Sequence, residues 1–194
     1  MNFTIETFSA TPTESELTSL SLLLQDAVEG GASVGFMRPS REPQLTGFWQ
    51  AVFAEVRGGK RVVIVARAAG RIVGTVQLAL AGKPNSRHRA ELQKLLVIRT
   101  HRGQGMGCAL IEAAEGAARA HGRTLLVLDT SATGNALGVY RRCGYIRAGV
   151  IPRYARDPDG PLIDTEFYYK ELPATAERSV THHSATDTVG PRTT

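Results

Sequence analysis

The stretch from Glu91 to Leu110 constrains this chain more than any other. It opens as an apolar run, Leu92 to Ile98, and passes through a short polar turn. It then enters the corner Arg102-Gly103-Gln104-Gly105-Met106-Gly107 and continues as an amphipathic helix. Alternating glycines let the backbone approach a bulky group closely. The first N–H groups of a helix have no intrahelical acceptor, and with the helix dipole they form a site for an anion, typically a phosphate. The stretch therefore predicts a phosphate-bearing ligand held at a strand-to-helix corner.

The rest of the chain reads as elements around that corner. Asn2 to Phe8 alternates as a strand does, and Thr11-Pro12-Thr13-Glu14 predicts a helix start with Thr11 as N-cap and Glu14 closing a capping box. Leu17, Leu20, Leu24, Ala27 and Val28 follow at helical spacing up to Gly30-Gly31. An irregular segment, residues 31–39, carries Ser33, Phe36 and Met37 and suits a wall of a substrate pocket. A second helix is predicted from Pro43 to Val56, with Phe48, Trp49, Val52, Phe53 and Val56 as its buried stripe. Val62 to Ala66, the turn Ala69-Gly70 and Ile72 to Leu80 form a hairpin. After the corner helix come a buried strand, Leu125 to Leu128, ending in Asp129, and a short helix, Ala136 to Arg142. Two more strands, Tyr145 to Ile151 and Ile163 to Leu172, flank the turn at Asp157-Pro158-Asp159-Gly160. The order is that of one α/β domain over residues 1–172, with the strands on either side of the corner helix expected as parallel neighbours. Residues 173–194 lose apolar periodicity and read as a disordered tail.

Composition narrows the class of function. The 194 residues suffice for one domain with a real core. No apolar run approaches the roughly 20 residues that cross a bilayer, and MNFTIETFSA lacks the basic and apolar regions of a secretory signal. The two cysteines, Cys108 and Cys143, form neither a disulfide framework nor a metal-ligand pattern, so a reducing cytoplasm and no metal are expected. The net charge of +5 comes from scattered basic clusters with few aromatics, which argues against nucleic-acid binding; attraction of a polyanionic cofactor and simple solubility explain the excess equally well.

The corner Arg102-x-x-Gly105-x-Gly107 lacks the lysine of a P-loop, and the hairpin and two helices before it do not suit a dinucleotide fold. With Ala136-x-x-x-Tyr140-x-x-x-Gly144-Tyr145 it resembles the GNAT superfamily of acyl-CoA N-acetyltransferases over residues 60–172. Further segments resemble the tabtoxin-resistance acetyltransferase subgroup: Glu29 to Met37, Gln77-Leu78, Lys83-Pro84-Asn85, Ala90 to Leu95, Leu128-Asp129-Thr130 and Pro158-Asp159-Gly160. The resemblance implies a mixed sheet with a splayed parallel pair and about four helices, acetyl-CoA as co-substrate, a small-molecule amine as acceptor, and a monomer or homodimer.

The resemblance also implies roles. Gly103, Gln104, Gly105, Met106, Gly107 and Cys108 would hold the pyrophosphate through their N–H groups, with Arg102 as an added charge. Leu95, Leu96 and Val97 would line the pantetheine arm, the Leu95 N–H polarising the thioester carbonyl. An amine of pKa about 10 arrives protonated, so a base must remove its proton. Glu91 is the first candidate, and a salt bridge to Arg89 or Arg61 is its structural alternative. Residues 91, 93, 95 and 97 share one face of an unbulged strand. Asp129 is the second candidate, as base or as anchor for the amine, and Tyr140 is the candidate acid. Thr133 stands where the family often has a cofactor-binding Asn, and Asn135 follows. Glu29, Ser33, Phe36, Met37, Asp129 and Tyr154 are the expected acceptor contacts. A zwitterionic, amino-acid-like toxin would pair Arg38 or Arg153 with Asp129. An aminoglycoside would want carboxylates from Glu29, Asp157, Asp159, Asp164 and Glu166. A protein or peptide N-acetyltransferase and a non-catalytic acyl-CoA-binding module are the alternatives.

Overall fold

The computed structural model of the chain describes residues 2–8, 11–134 and 136–173. The tail expected over 173–194 lies, but for its first residue, outside them. Among the described residues four α-helices and one seven-stranded sheet make up a single α/β domain. The strands are β1 (Thr4–Thr7), β2 (Arg61–Ala68), β3 (Arg71–Leu80), β4 (Arg89–Val97), β5 (Leu125–Ser131), β6 (Ile146–Arg156) and β7 (Leu162–Glu171). The helices are α1 (Glu14–Glu29), α2 (Glu42–Arg57), α3 (Met106–Ala120) and α4 (Leu137–Arg142). The sheet order is β1-β2-β3-β4-β5-β7-β6, and every pair is antiparallel except β4 with β5.

That exception follows from connectivity. Hairpins join β2 to β3 and β6 to β7, whereas α3 carries the chain from β4 over the sheet to β5 and returns it in the same direction. Small residues let α3 sit close: Ala114 and Ala118 are fully buried, and a Cβ on Gly74 of β3 would lie 3.0 Å from the Met106 sulfur. One apolar layer packs α3 and Tyr140 of α4 against Val62, Ile64, Leu92, Leu126 and Leu128. The opposite layer packs α1 and α2 against Val63, Val65 and Leu96, with Trp49, Leu20 and Leu24 completely enclosed.

Local chemistry moves some boundaries. Helix α1 is capped by Thr13, not Thr11, because Thr13 Oγ1 accepts from the Glu16 N–H while the Glu16 carboxylate accepts from the Thr13 N–H at 2.9 Å. Pro12 therefore precedes the cap rather than opening the helix. Phe48 and Val56 leave the buried stripe of α2; both are half-buried, and Leu45 joins Trp49, Val52 and Phe53 in the core. No helix among the described residues is long and apolar enough to cross a membrane.

Candidate active site

The pairing of β4 and β5 is short. Only Arg89, Ala90 and Glu91 match Leu125, Leu126 and Val127; beyond them the strands separate although both continue. A cavity of about 1260 Å³ fills the split and is lined from both layers: by Phe36 and Lys94 on the α1–α2 side, by Met106, Val139 and Tyr140 on the α3–α4 side. That volume exceeds the usual range for one small ligand and can hold a long cofactor and an acceptor together.

A bulge in β4 arranges its polar side chains. Gln77 of β3 faces Gln93 and Thr75 faces Leu96, so Lys94 and Leu95 together oppose Val76, and Lys94 takes φ of 50°. The expectation that residues 91, 93, 95 and 97 share a face is corrected by this bulge. Leu92 packs with the α3 layer before it, and Leu95 and Val97 do so after it, while Leu96 joins the α1–α2 layer. Glu91, Gln93 and Lys94 are left together on the α1–α2 side. The pairing Glu91–Val127 sets Asp129, two residues further along β5, on that same side.

Glu91 is held by a relay. Gln93 Nε2 donates to Glu91 Oε1 at 2.7 Å; Arg61 Nη1 donates to Gln93 Oε1 at 2.7 Å and to Gln77 Oε1 at 2.8 Å. Arg61 Nε in turn donates to Glu55 at 2.6 Å. The salt bridge weighed for Glu91 is thus replaced by an amide: Arg61 neutralises Glu55 and orients Gln93, whose N–H then faces the carboxylate. Asp129 opens to the cavity, but the protein around it removes enough water to raise its pKa, the negative charge of Glu91 raises it further, and Lys94 opposes both. Burial likewise lowers the Lys94 pKa, with Asp129 and Glu91 pulling it back.

The glycine corner forms the other half. Gly105 caps α3 in the left-handed conformation, φ of 79°, and no side chain takes up the first N–H groups of the helix. A Cβ on Gly103 or Gly105 would meet nothing within 4 Å, so the backbone there is open to a ligand. Helix α1 carries a reciprocal capping box, and at the start of α2 Gln44 Oε1 accepts from the Arg41 N–H at 3.4 Å; the start of α3 has no side-chain cap of either kind. The Met106 side chain is buried in the core, leaving only its backbone to the corner. Arg102 lines the cavity, but its Nε is turned back to donate to Val97 O at 2.9 Å. Gln104 is not among the lining residues; Gly107 and Cys108 are. Thr133 lines the cavity with Oγ1 3.1 Å from Ser131 Oγ, and Asn135 lies outside the described residues. Tyr140 is 5% exposed, its ring 6.0 Å from Tyr145 and 6.1 Å from Tyr168, yet it borders the cavity. Burial, with a contribution from Asp129, drives its phenol pKa upward.

Segment 31–39 closes one side of the cavity. Ser33 Oγ donates to Arg156 O at 3.1 Å, the Arg38 N–H donates to Pro158 O at 3.0 Å, and the Arg38 guanidinium pairs with Asp159. Ser33, Phe36 and Met37 line the cavity. Glu29 and Tyr154, the other expected acceptor contacts, do not. Glu29 is exposed at the end of α1, where its carbonyl accepts from Arg38, and Tyr154 packs its ring on Phe167 at 5.3 Å on the outer strand pair. Sequence reasoning missed Gln93 and Lys94 as site residues. The adjacent polar pair Gln93-Lys94 inside an apolar strand was the available signal.

The sequence model of the acetyltransferase (GNAT) family matches residues 21–145, from within α1 through the glycine corner to Tyr145, just before β6. This chain belongs to the GNAT acetyltransferase family. Solved structures of similar fold agree. An N-acetyltransferase from Staphylococcus aureus Mu50 is 18% identical with a TM-score of 0.74, covering 89% of this chain and 100% of that one. A ribosomal-protein-alanine N-acetyltransferase from Brucella melitensis is 26% identical with a TM-score of 0.71, over 86% and 99%. A GNAT superfamily phosphinothricin acetyltransferase from Sinorhizobium meliloti, solved with acetyl-CoA, is 18% identical with a TM-score of 0.73, over 97% and 98%. Acetyl-CoA is the acyl donor of this GNAT fold, and the bare N–H groups at the α3 corner, open glycine backbone and a cavity reaching through the sheet fit it. Among the described residues no group of three or more His, Cys, Asp or Glu could hold a metal ion.

Proposed function

We infer that the chain acetylates a primary amine of a small molecule by direct transfer from acetyl-CoA, and that the acceptor is an amino-acid-like toxin or antibiotic of the kind handled by the tabtoxin-resistance subgroup. The observation that carries this reading is the pair Glu91 and Asp129 on one side of the split, in a chamber covered by segment 31–39. Bound acetyl-CoA supplies an acetyl group activated as a thioester. The N–H groups around Gly105 hold its anionic part. Beyond Glu91 the β5-facing edge of β4 has no strand partner, which leaves that edge free for the cofactor arm and for the Leu95 N–H to polarise a carbonyl, a contribution of roughly 3 kcal/mol where such donors have been removed. Glu91, kept in place by Gln93, takes the proton of the incoming amine, and Asp129 anchors the amine beside it. Tyr140, protonated because it is buried, returns a proton to the departing thiolate.

The described geometry favours an amino acid over an aminoglycoside. Of the carboxylates an aminoglycoside would use, four are engaged elsewhere, Asp159 with Arg38, Asp164 with the Arg153 N–H at 2.9 Å, Asp157 with the Asp159 N–H at 3.1 Å and Glu166 with Arg147 at 3.1 Å, and the fifth, Glu29, is exposed and does not line the cavity. A peptide acceptor has one point in its favour, the 26% identity to an enzyme named for ribosomal-protein alanine. The link from segment 31–39 to Arg156, Pro158 and Asp159 counts against it, because a protein terminus needs an open groove. A thiol-release assay with acetyl-CoA across amino acids, aminoglycosides and peptides tests the reading. Turnover confined to peptides would replace it, and absence of acetyl-CoA binding would remove its basis.

A further inference from the structure

Lys94 has no role in the reaction just described, yet it is the most unusual residue of the cavity. It adopts a left-handed backbone conformation that L side chains rarely take, and that conformation puts its side chain on the acceptor side of β4. With ordinary strand geometry the residue after Gln93 would face the apolar α3 layer. Its ammonium lies 5.6 Å from the centre of the Phe48 ring, and Phe48 meets Phe36 of the covering segment edge-on at 5.5 Å. Both Lys94 and Phe36 line the cavity. Among the described residues the Lys94 side chain makes no hydrogen bond and no ion pair, although Glu91 and Asp129 are close enough to influence it. An ammonium that lines the cavity and rests on an aromatic face is placed to meet an anionic group of a ligand.

We propose that Lys94 is the specificity-determining residue of the acceptor chamber, binding a carboxylate of the substrate while Glu91 and Asp129 take its amine. The proposal rests on the amine-acetylation reading. The two carboxylates and the one ammonium make the chamber bipolar, which suits a zwitterion and disfavours a polycation. It also reassigns the cation expected from sequence. Arg38 is committed to Asp159 and the Glu29 carbonyl, and Arg153 is exposed away from the cavity. The lowered pKa of Lys94 agrees with a site whose charge is completed by its ligand.

Matched acceptors test it: each common L- and ω-amino acid against its carboxamide, with wild-type protein, Lys94→Met and Lys94→Arg, acetyl-CoA saturating. The expected wild-type preference for the free carboxylate is at least about tenfold in kcat/KM, expressed mainly in KM. In Lys94→Met the ratio collapses to about one, and Lys94→Arg restores most of it. A loss in Lys94→Met shared equally by acid and amide would make the residue merely structural and overturn the proposal, as would wild-type turnover restricted to amides, polyamines or aminoglycosides. If wild type binds acetyl-CoA but acetylates nothing, the amine-acetylation reading fails first. Titration of the CoA-bound protein with the same amino acids, followed by NMR, then decides the role of Lys94. Binding by wild type and not by Lys94→Met supports it; equal binding, or none, overturns it.

Discussion

At the scale of single residues, the site sets charge against stability. The native fold raises the Asp129 pKa above its ordinary value near 3.8, chiefly through lost solvation and the nearby Glu91. The native state therefore holds this proton to higher pH than the unfolded chain does, and folding stability falls as pH rises through the window between the two pKa values. Asp129→Asn removes the ionised form. Its Tm at pH 7 should exceed that of wild type by a few degrees, the gain shrinking as the pH falls toward 3.8, while acetylation drops; calorimetry at several pH values checks this. A Tm that is lower at pH 7 would mean that ionised Asp129 stabilises the fold through Lys94. Tyr140 is shifted in the same direction by burial, which keeps it in the donating form across neutral pH. Tyr140→Phe should lower kcat on the order of 10²-fold with acetyl-CoA affinity nearly unchanged, as measured by steady-state kinetics beside a direct binding titration. Wild-type turnover would remove it as the acid.

At the scale of elements, the strand–corner–helix unit does two jobs because its two ends differ. The corner works through backbone, and Gly105 is its pivot: at φ of 79° any side chain is strained, by about 1–2 kcal/mol. Gly105→Ala should cost about that much stability in denaturant titrations and raise the KM for acetyl-CoA roughly tenfold, since the N–H groups it sets no longer converge. This half was legible in the sequence, because a glycine pattern at a helix start has few physical readings. The parallel neighbours β4 and β5 were legible too, since only a crossover helix joins them. The strand half was not. Alternation placed Glu91 and Leu95 on one face, and a bulge at Lys94 separates them. A bulge depends on how β3 and β4 register, a long-range matter that the run LQKLLV does not encode locally. Segment 31–39 was recognised as a pocket wall, but its attachment to Arg156, Pro158 and Asp159 joins residues more than a hundred positions apart.

At the scale of the whole molecule, the split between β4 and β5 is what turns a sheet into an enzyme site. Each layer of helices closes one side of the sheet, and the split is where the cavity passes between them. The last strand belongs to that frame: Leu172 is 3% exposed and its N–H donates to Thr124 O at 2.7 Å beside the start of β5. A chain ending at residue 173 should therefore keep the Tm of the full chain and its kcat/KM within about twofold, whereas a cut before Leu172 should lower Tm by several degrees. The most direct test of acetyl transfer at the split is mass-spectrometric detection of N-acetylated product after incubating the full chain with acetyl-CoA and a mixed pool of amino acids, aminoglycosides and peptides, beside the Glu91→Gln variant. The account predicts an amino acid heavier by one acetyl group with wild type and a yield reduced on the order of 10²-fold with the variant. Product of equal yield from both proteins, or acetylation of peptides alone, would contradict it.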